Sequence, residues 1–209
     1  MTAKQRKAAA NTRDLAAYTL AEAARYVPLP PATLRSWVLG CECPTTAGGG
    51  QFSPLIKPAS RRPLIVSFSN VIEAHVLRSL RTKHAVSVKA LRSALAYTEK
   101  ELGIDRLLLR SELRAHAGKV FLDRYGELID LSASGQLAVR RVLAEHLQRA
   151  EWDPTNLPIR LYPFLPTPSE ERAIVIDPRT AFGRPVVARK AFPPPPSPNG
   201  ALRQRVSTT

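Results

Sequence analysis

Three polar side chains that can hydrogen-bond to base edges or phosphates lie close together in one short segment, PATLRSWVL. They are Thr33, Arg35 and Ser36. The apolar residues between them are Leu34, Trp37 and Val38. In a helix, the apolar spacing i, i+3 and i+4 forms one buried stripe, so the polar side chains must point elsewhere. Short hydroxyls and arginine are the side chains with which a recognition helix reads the DNA major groove, and we expect that chemistry here.

A second pair of cations, Arg61 and Arg62, lies in a predicted turn, Pro58–Pro63. The flanking stretches Leu55–Lys57 and Leu64–Phe68 are predicted to be the two strands of a hairpin. Arginines at a hairpin tip can reach a neighbouring groove or the phosphate backbone. The alternative is that these arginines merely face water.

Two short helices are predicted to position the first group. Thr19 and Glu22 have the spacing of a capping box, which predicts a helix over Leu20–Tyr26. Pro31 suits the first turn of a second helix, Pro31–Leu39, because its fixed φ is already helical. Two short helices joined by a four-residue hinge indicate a helix-turn-helix, and the basic hairpin after them would be its wing.

The charge of the chain is concentrated in its first half. The 209 residues carry 31 Lys+Arg and 17 Asp+Glu, a net charge of +14. Residues 1–100 hold 15 of these cations and 5 of these anions, a net +10, whereas residues 101–209 hold 16 and 12, a net +4. A basic front half predicts a polyanionic partner for that half. A surplus of charge for solubility, with a basic tail, is the alternative.

The composition excludes several classes of protein. With 44% hydrophobic residues the chain can build a core, and no apolar run reaches the roughly 18 residues of a membrane span. The polar, basic start predicts no secretory signal. Cys41 and Cys43 are the two cysteines, which excludes a disulfide scaffold. These features predict a soluble cytoplasmic protein.

The front half resembles a known DNA-binding family. The segments that carry the resemblance are Tyr18–Ala24 (YTLAEAA), Thr33–Trp37 (TLRSW), Phe68 and Val71–Ala74 (VIEA). Over about residues 17–100 they are similar to the winged helix-turn-helix of the MerR family. The resemblance implies that the second helix enters DNA and that the wing precedes a long helix. The chain departs from that family at Pro30, which has no capping side chain.

The back half resembles a bacterial antitoxin group of VapB type. The resemblance rests on Leu157–Phe164 (LPIRLYPF) and Ile174–Val187 (IVIDPRTAFGRPVV). It implies a partner toxin like VapC, a PIN-domain ribonuclease with an acidic metal-binding site. The chain departs from the group after Ala188, where four prolines soon follow, so the C-terminal antitoxin module is predicted to be truncated.

Three residues of the second motif are predicted to bind the toxin: Arg179, Phe182 and Arg184. Arginine pairs bidentately with carboxylates, and an aromatic ring can anchor in an apolar pocket beside them. Pro178 and Pro185 stiffen the segment and lower its ordering cost. The alternative is that Phe182 packs into the protein's own sheet while the arginines face water.

The remaining elements complete an α+β chain. Asn70 and Glu73 are predicted to cap a helix that runs to about His84. The other predicted elements are a helix over Val88–Leu102 capped by Ser87, a hairpin of Lys119–Arg124 and Glu127–Leu131, a helix over Gly135–Ala150, and strands at Pro158–Leu165 and Ala173–Ile176. The predicted domains are a basic flexible arm (1–16), the winged helix-turn-helix (17–86), a connector or dimerisation helix (87–104), a small α/β antitoxin region (105–190) and a Pro-rich basic tail (191–209).

The predicted connector helix carries a heptad-like apolar seam, which consists of Val88, Leu91, Leu95 and Leu102. Short recognition helices usually work in two-fold pairs, so the seam is a candidate homodimer surface. An intramolecular pairing with the preceding helix is an equal alternative.

No enzyme motif is present in the sequence, and we predict a non-enzyme that needs no cofactor and no metal. Cys41-x-Cys43 lacks a second ligand pair at zinc spacing, and His75, His84, His116 and His146 are scattered along the chain. The predicted function is an antitoxin that binds operator DNA, represses its own operon and neutralises a PIN-domain toxin. The alternatives are a MerR-like regulator that senses a small molecule through residues 105–187, and an adaptor whose basic half binds RNA or a protein.

Overall fold

The computed structural model describes residues 12–43, 50–82, 88–114, 116–129, 133–164 and 174–188. The chain is mixed α/β, with helices and small antiparallel sheets. One hydrophobic cluster extends through it from Tyr18 to Ile176. Among the described residues, no helix is both long and apolar enough to cross a membrane. Most of the predicted arm and all of the predicted tail lie outside the described residues.

The two short helices begin and end where the sequence predicts. Strand β1 (Tyr18–Thr19) leads into α1 (Leu20–Tyr26), and the predicted capping box of Thr19 and Glu22 is formed. Helix α2 (Pro31–Leu39) begins without a side-chain cap at Pro30 and ends at Gly40, whose φ is 82°. The predicted apolar stripe of α2 is buried: Leu34, Trp37 and Val38.

The segment after α2 differs from the prediction in two places. The predicted loop Cys41–Gln51 contains strands β2 (Cys41–Cys43) and β3 (Gly50–Phe52), which pair with each other. The predicted strand Leu55–Lys57 is wrong. The N–H groups of Leu55 and Ile56 both donate to the Trp37 carbonyl, at 2.8 and 3.0 Å, and so satisfy the C-terminus of α2.

The observed hairpin is shorter than predicted, because its first strand begins later. Strand β4 (Ser60–Arg61) pairs antiparallel with β5 (Leu64–Val66), and β5 also pairs with β1. The sheet order β1-β5-β4 therefore joins the hairpin to the start of α1.

Helix α3 (Phe68–Thr82) has a different cap from the predicted one. Ser67 is the capping residue, because its hydroxyl accepts from the Asn70 N–H while Asn70 Oδ1 accepts from the Ser67 N–H. Glu73 is instead buried beside Asn70 and Arg106, at 2.9 and 3.0 Å. Helix α4 spans Val88–Leu102 as predicted. His84 and Ser87 lie outside the described residues.

The predicted hairpin Lys119–Arg124 and Glu127–Leu131 is wrong. After two 3₁₀ turns, Leu107–Leu109 and Ser111–Arg114, the chain forms helix α5, His116–Ile129. Its buried residues are Gly118, Phe121, Leu122 and Tyr125. Their spacing of i, i+3, i+4 and i+7 places them on one face of the helix, and this face is buried where α5 packs against α4.

The packing of α4 on α5 also accounts for the seam. Leu91 and Leu95 are buried within the chain, at 2% and 6% exposure. These two residues of the seam therefore pack within the chain, and α4 lies against the following helix α5. The role of the seam as a homodimer surface stays a prediction.

The C-terminal part begins with α6 (Ala133–Leu147), which packs on α3. Strand β6 (Ala150–Trp152), which the sequence reasoning missed, pairs with β7 (Pro158–Leu161). Strand β8 (Ile174–Val175) pairs with β9 (Val186–Val187), and a bridge between Leu161 and Ile176 links the two pairs. The two predicted C-terminal strands are thus present in shorter form.

Candidate nucleic-acid and partner interfaces

Helix α2 separates its two kinds of side chain as its spacing predicts. Arg35 is exposed, and Thr33 and Ser36 are half-buried. The Ser36 hydroxyl donates to the Thr33 carbonyl at 2.8 Å, so its lone pairs remain for an incoming donor. The helix therefore presents one cation with two hydroxyls beside it.

Arg61 and Arg62 are both exposed at the end of the β4–β5 hairpin. The hairpin and α2 belong to one continuous structure, because the segment before β4 is hydrogen-bonded to Trp37 and β5 is paired with β1. Backbone hydrogen bonds therefore fix the position of the candidate DNA-binding residues of α2 relative to those of the hairpin.

Two further cations of this region were not singled out from the sequence. Arg25 is exposed on α1, and Arg81 is exposed on α3 with its guanidinium carbon 6.0 Å from the centre of the Trp37 ring. Arg25 could have been found as the polar position of an amphipathic helix. No sequence signal joins Arg81 to Trp37, because tertiary packing alone brings them together.

The candidate toxin-binding loop is built around one buried carboxylate, Asp177. Arg179 holds it with three bonds of 2.9–3.0 Å, one from its backbone N–H and two from its guanidinium. Arg160 donates to the same carboxylate at 3.0 Å and to Glu151 at 3.1 Å. Burial raises the pKa of Asp177, but the bonds from Arg179 and Arg160 outweigh it and hold that pKa below its usual range. Arg179, which was predicted to bind the toxin, thus pairs with its own loop while its side chain stays 47% exposed.

Phe182 stands at the tip of this loop with 93% of its surface exposed. Its φ of 55°, together with 48° at Ala181 and 76° at Gly183, gives three successive left-handed residues. Non-glycine residues rarely adopt that conformation, and it persists only where surrounding structure imposes it. The alternative in which Phe182 packs into the protein's own sheet is wrong. Ile174 and Val187, a cross-strand pair, are also exposed, at 36% and 76%.

The loop is attached to the start of α1 through Tyr18. The Tyr18 hydroxyl is buried and donates to the Gly183 carbonyl at 2.8 Å, across 165 residues of sequence. Burial raises the pKa of Tyr18 far above its usual range, so the hydroxyl remains a donor. A Cβ at Gly183 would lie 2.1 Å from the Tyr18 oxygen. Sequence reasoning missed this contact, because nothing local links two residues so far apart.

Arg184, the exposed third residue of the predicted set, lies close to α1. The pKa of Glu22 is lowered by the Thr19 N–H and hydroxyl, and the positive charges of Arg184 and Arg25 lower it further. Burial raises the pKa of the Tyr26 hydroxyl, and the positive charge of Arg184 opposes that rise. Arg184 directly follows Gly183, whose carbonyl is bonded to Tyr18 at the start of α1, so its charge acts on this helix.

Two of the four scattered histidines meet in the core. The rings of His75 on α3 and His146 on α6 have their centres 5.4 Å apart. His75 Nε2 lies 3.2 Å from the His146 carbonyl, and His146 Nδ1 lies 2.9 Å from the Val142 carbonyl. A carbonyl only accepts, so both of these nitrogens carry hydrogen. In the part of the chain that the structure describes, no three His, Cys, Asp or Glu side chains form a metal-binding group.

No protein-family model matches the chain. It is similar to a solved structure, the X-ray crystal structure of Rv2018 from Mycobacterium tuberculosis, with a TM-score of 0.57, 25% identity, and coverage of 83% of this chain and 80% of that one. It is also 31% identical over 193 residues to the "Putative antitoxin VapB45" of Mycobacterium tuberculosis (strain ATCC 25618 / H37Rv), across 83% of this chain and 77% of that protein. With this identity maintained over more than three quarters of both proteins, the chain belongs to the VapB-type antitoxin family.

Proposed function

We propose that this antitoxin binds operator DNA through a winged helix-turn-helix made of α1, α2 and the β4–β5 hairpin, represses its own operon, and neutralises a PIN-domain ribonuclease. The observation that carries the DNA-binding part is the division of α2, which buries Leu34, Trp37 and Val38 and leaves Arg35 in solvent. Recognition helices have this division because one face packs on the domain while the other enters the major groove.

The charge of the region supports the same proposal. The exposed cations of this region are Arg25, Arg35, Lys57, Arg61, Arg62 and Arg81. Each phosphate that a cation neutralises releases condensed counterions, which adds about 0.9 to the slope of log K against log salt. We assign phosphate contacts to the hairpin arginines and a base-edge contact to Arg35.

Operator binding at several salt concentrations tests the DNA-binding proposal. Arg61→Ala should weaken binding to every sequence and flatten the salt slope by about one. Arg35→Ala should cost about 1–3 kcal/mol on the operator and relax discrimination against other sequences. Arg140→Ala, on α6, is the matched control, since it removes an exposed arginine outside the proposed interface.

Unchanged operator affinity in both variants, with the fold intact, would exclude this interface. An equal loss in the Arg140→Ala control would mean that only overall charge matters. The proposal therefore requires Arg35→Ala and Arg61→Ala to weaken operator binding more than the Arg140→Ala control does. It also requires that only Arg35→Ala relax discrimination between sequences.

The toxin part of the proposal rests on the family and on the loop Asp177–Arg184. A PIN-type site gathers carboxylates around a divalent metal, so an inhibitor that reaches it needs cations and an anchor. Phe182 supplies an exposed ring and Arg184 an exposed guanidinium next to it. We assign toxin contact to these two, and Arg179 acts through the carboxylate of Asp177.

Co-expression with the toxin tests this part. Phe182→Ala should abolish copurification and restore ribonuclease activity while leaving operator binding intact. Leu137→Ala is the matched control, because Leu137 is another large apolar side chain with high exposure, 64%. A Phe182→Ala variant that still suppresses the ribonuclease places the inhibitory contact elsewhere.

The second candidate, a MerR-like regulator that senses a small molecule, is favoured by one cavity. It has a volume of about 630 Å³ and lies between the segment 53–59 and α4, with Glu73, Glu99 and Arg106 in its wall. Cavities of this size hold small ligands in many proteins. A neighbouring reading frame with the carboxylate pattern of a PIN domain favours the antitoxin proposal, and its absence favours the sensor.

A further inference from the structure

The loop that carries Phe182 is fixed at both ends to parts of the fold that are distant in sequence. At its start, Asp177 is 4% exposed and is held by Arg160 of β7. At its end, the Gly183 carbonyl accepts from Tyr18 of β1. Three backbone hydrogen bonds of 2.9–3.0 Å also form within the loop. The Thr180 N–H donates to the Asp177 carbonyl, the Gly183 N–H to the Thr180 carbonyl, and the Arg184 N–H to the Ala181 carbonyl.

These anchors hold a conformation that the loop would not adopt alone. Three successive left-handed residues are unfavourable for a free chain, and Phe182 gains nothing from its own protein because its ring is almost entirely in solvent. A backbone that is forced into a rare conformation to expose an apolar ring indicates a role for that ring outside the chain.

We propose that the loop Asp177–Arg184 is a pre-formed binding surface, in which Phe182 enters an apolar pocket of the protein partner, Arg184 pairs with a carboxylate at the pocket rim, and Tyr18 and Arg179 are positioning residues. The inference rests on the proposed function and adds to it the manner of recognition. Recognition by a loop that is already folded differs from folding on binding, because the ordering cost is met before the partner arrives.

The two positioning residues act through the loop that they hold in place. Tyr18 is 2% exposed and lies edge-on to Tyr26, with ring centres 5.8 Å apart. Arg179 uses its guanidinium on Asp177. Arg184 lies beside α1, which places the bound partner next to the two-helix segment.

Binding kinetics to the copurified toxin separate positioning from contact. Tyr18→Phe removes only the hydroxyl that holds Gly183, so a fraction of the loops leaves the competent conformation. The association rate should then fall by about 2- to 10-fold, the range expected for one hydrogen bond, while the dissociation rate stays unchanged. Phe182→Ala should instead raise the dissociation rate, because it removes the contact itself. Tyr125→Phe is the matched control, because it removes the hydroxyl of another buried tyrosine, on α5 and outside the loop, and it should change neither rate.

Hydrogen exchange of the antitoxin alone provides a second measurement. The amides of Thr180, Gly183 and Arg184 should be protected in the wild type and lose protection in Tyr18→Phe, while the chain as a whole remains folded. If Tyr18→Phe proves unstable, Arg179→Gln makes the same test from the other anchor.

Several results would overturn the inference in distinguishable ways. If these amides exchange freely in the wild type, or Tyr18→Phe leaves the association rate unchanged while Phe182→Ala abolishes binding, the loop folds on the partner and the proposed function survives. If Phe182→Ala leaves toxin binding intact but weakens operator binding, the loop belongs to the DNA interface, and both the inference and the toxin assignment fail.

Discussion

The pair His75 and His146 should make the stability of this protein fall as the solution becomes mildly acidic. Burial lowers the pKa of His75 to about 3, and the charges of His146, Arg149 and Arg78 act in the same direction, against the bond to the His146 carbonyl. The unfolded chain has the ordinary value of 6.5. Below pH 6.5 the unfolded state therefore binds a proton that the folded state does not bind until about pH 3. The free energy of unfolding decreases as the pH falls between these values.

The size of this effect follows from the two pKa values. Well between them, one such group costs about 1.4 kcal/mol for each pH unit. Because the unfolded histidine is only partly protonated near pH 6.5, lowering the pH from 7 to 5 should cost about 2 kcal/mol through His75. The pKa of His146 is also lowered, chiefly by its burial, which adds in the same direction.

Urea unfolding of the wild type and His75→Gln at pH 7 and pH 5 measures the effect. Glutamine keeps a donor for the His146 carbonyl and does not titrate. The variant should lose about 2 kcal/mol less than the wild type between the two pH values. An equal loss in both proteins would refute the reasoning, because the histidine would then not be desolvated in the folded state.

Three further predictions concern stability. Ser67→Ala removes the cap of α3 and should cost about 1 kcal/mol in urea unfolding, and no change would mean that Asn70 caps the helix without it. Phe121→Ala should cost about 3–5 kcal/mol, since the ring is fully buried between α5 and its neighbours, and a loss below about 1 kcal/mol would contradict that packing. Asp177→Asn should lower the melting temperature at pH 7 and have a smaller effect at an acidic pH below 3.8, because the lowered pKa gives the carboxylate a stabilising effect above 3.8 that is lost as the pH falls through its folded value. An equal destabilisation by this substitution at both pH values would assign the effect to shape and not to charge.

The elements predicted correctly are those whose boundaries are fixed by local chemistry. A capping box begins α1, a proline begins α2 and a glycine at φ 82° ends it. These signals act within a few residues, so they can be recognised in the sequence alone.

The errors occur where tertiary contacts decide between local alternatives. The stretch from Lys119 to Leu131 contains an apolar run and a Tyr-Gly pair that fit a hairpin, but its buried residues match a helix that packs on α4. Leu55 and Ile56 have the composition of a strand, yet their amides bond to the end of α2.

For the candidate site, the residue types could be predicted from the sequence, but the contacts that each residue makes could not. The sequence indicated Arg179, Phe182 and Arg184 as a group, whereas in the structure the exposed Arg179 pairs with Asp177 and Phe182 lies in solvent without such a partner. Tyr18 could not be predicted as a partner of this loop, because its contact with Gly183 depends on the whole fold.

The main hydrophobic cluster, which spans both halves of the chain, has a consequence for how this chain can be inherited and engineered. The apolar cluster that begins at Tyr18 continues through α3 and α6 to Ile176, and Arg13 is tied to Asp153 across 140 residues. A cut after α3 would remove α6, which packs on α3 and brings His146 against His75. Recombination that exchanges only the front or only the back half should therefore yield unstable hybrids, so the two halves are expected to diverge together, as one unit.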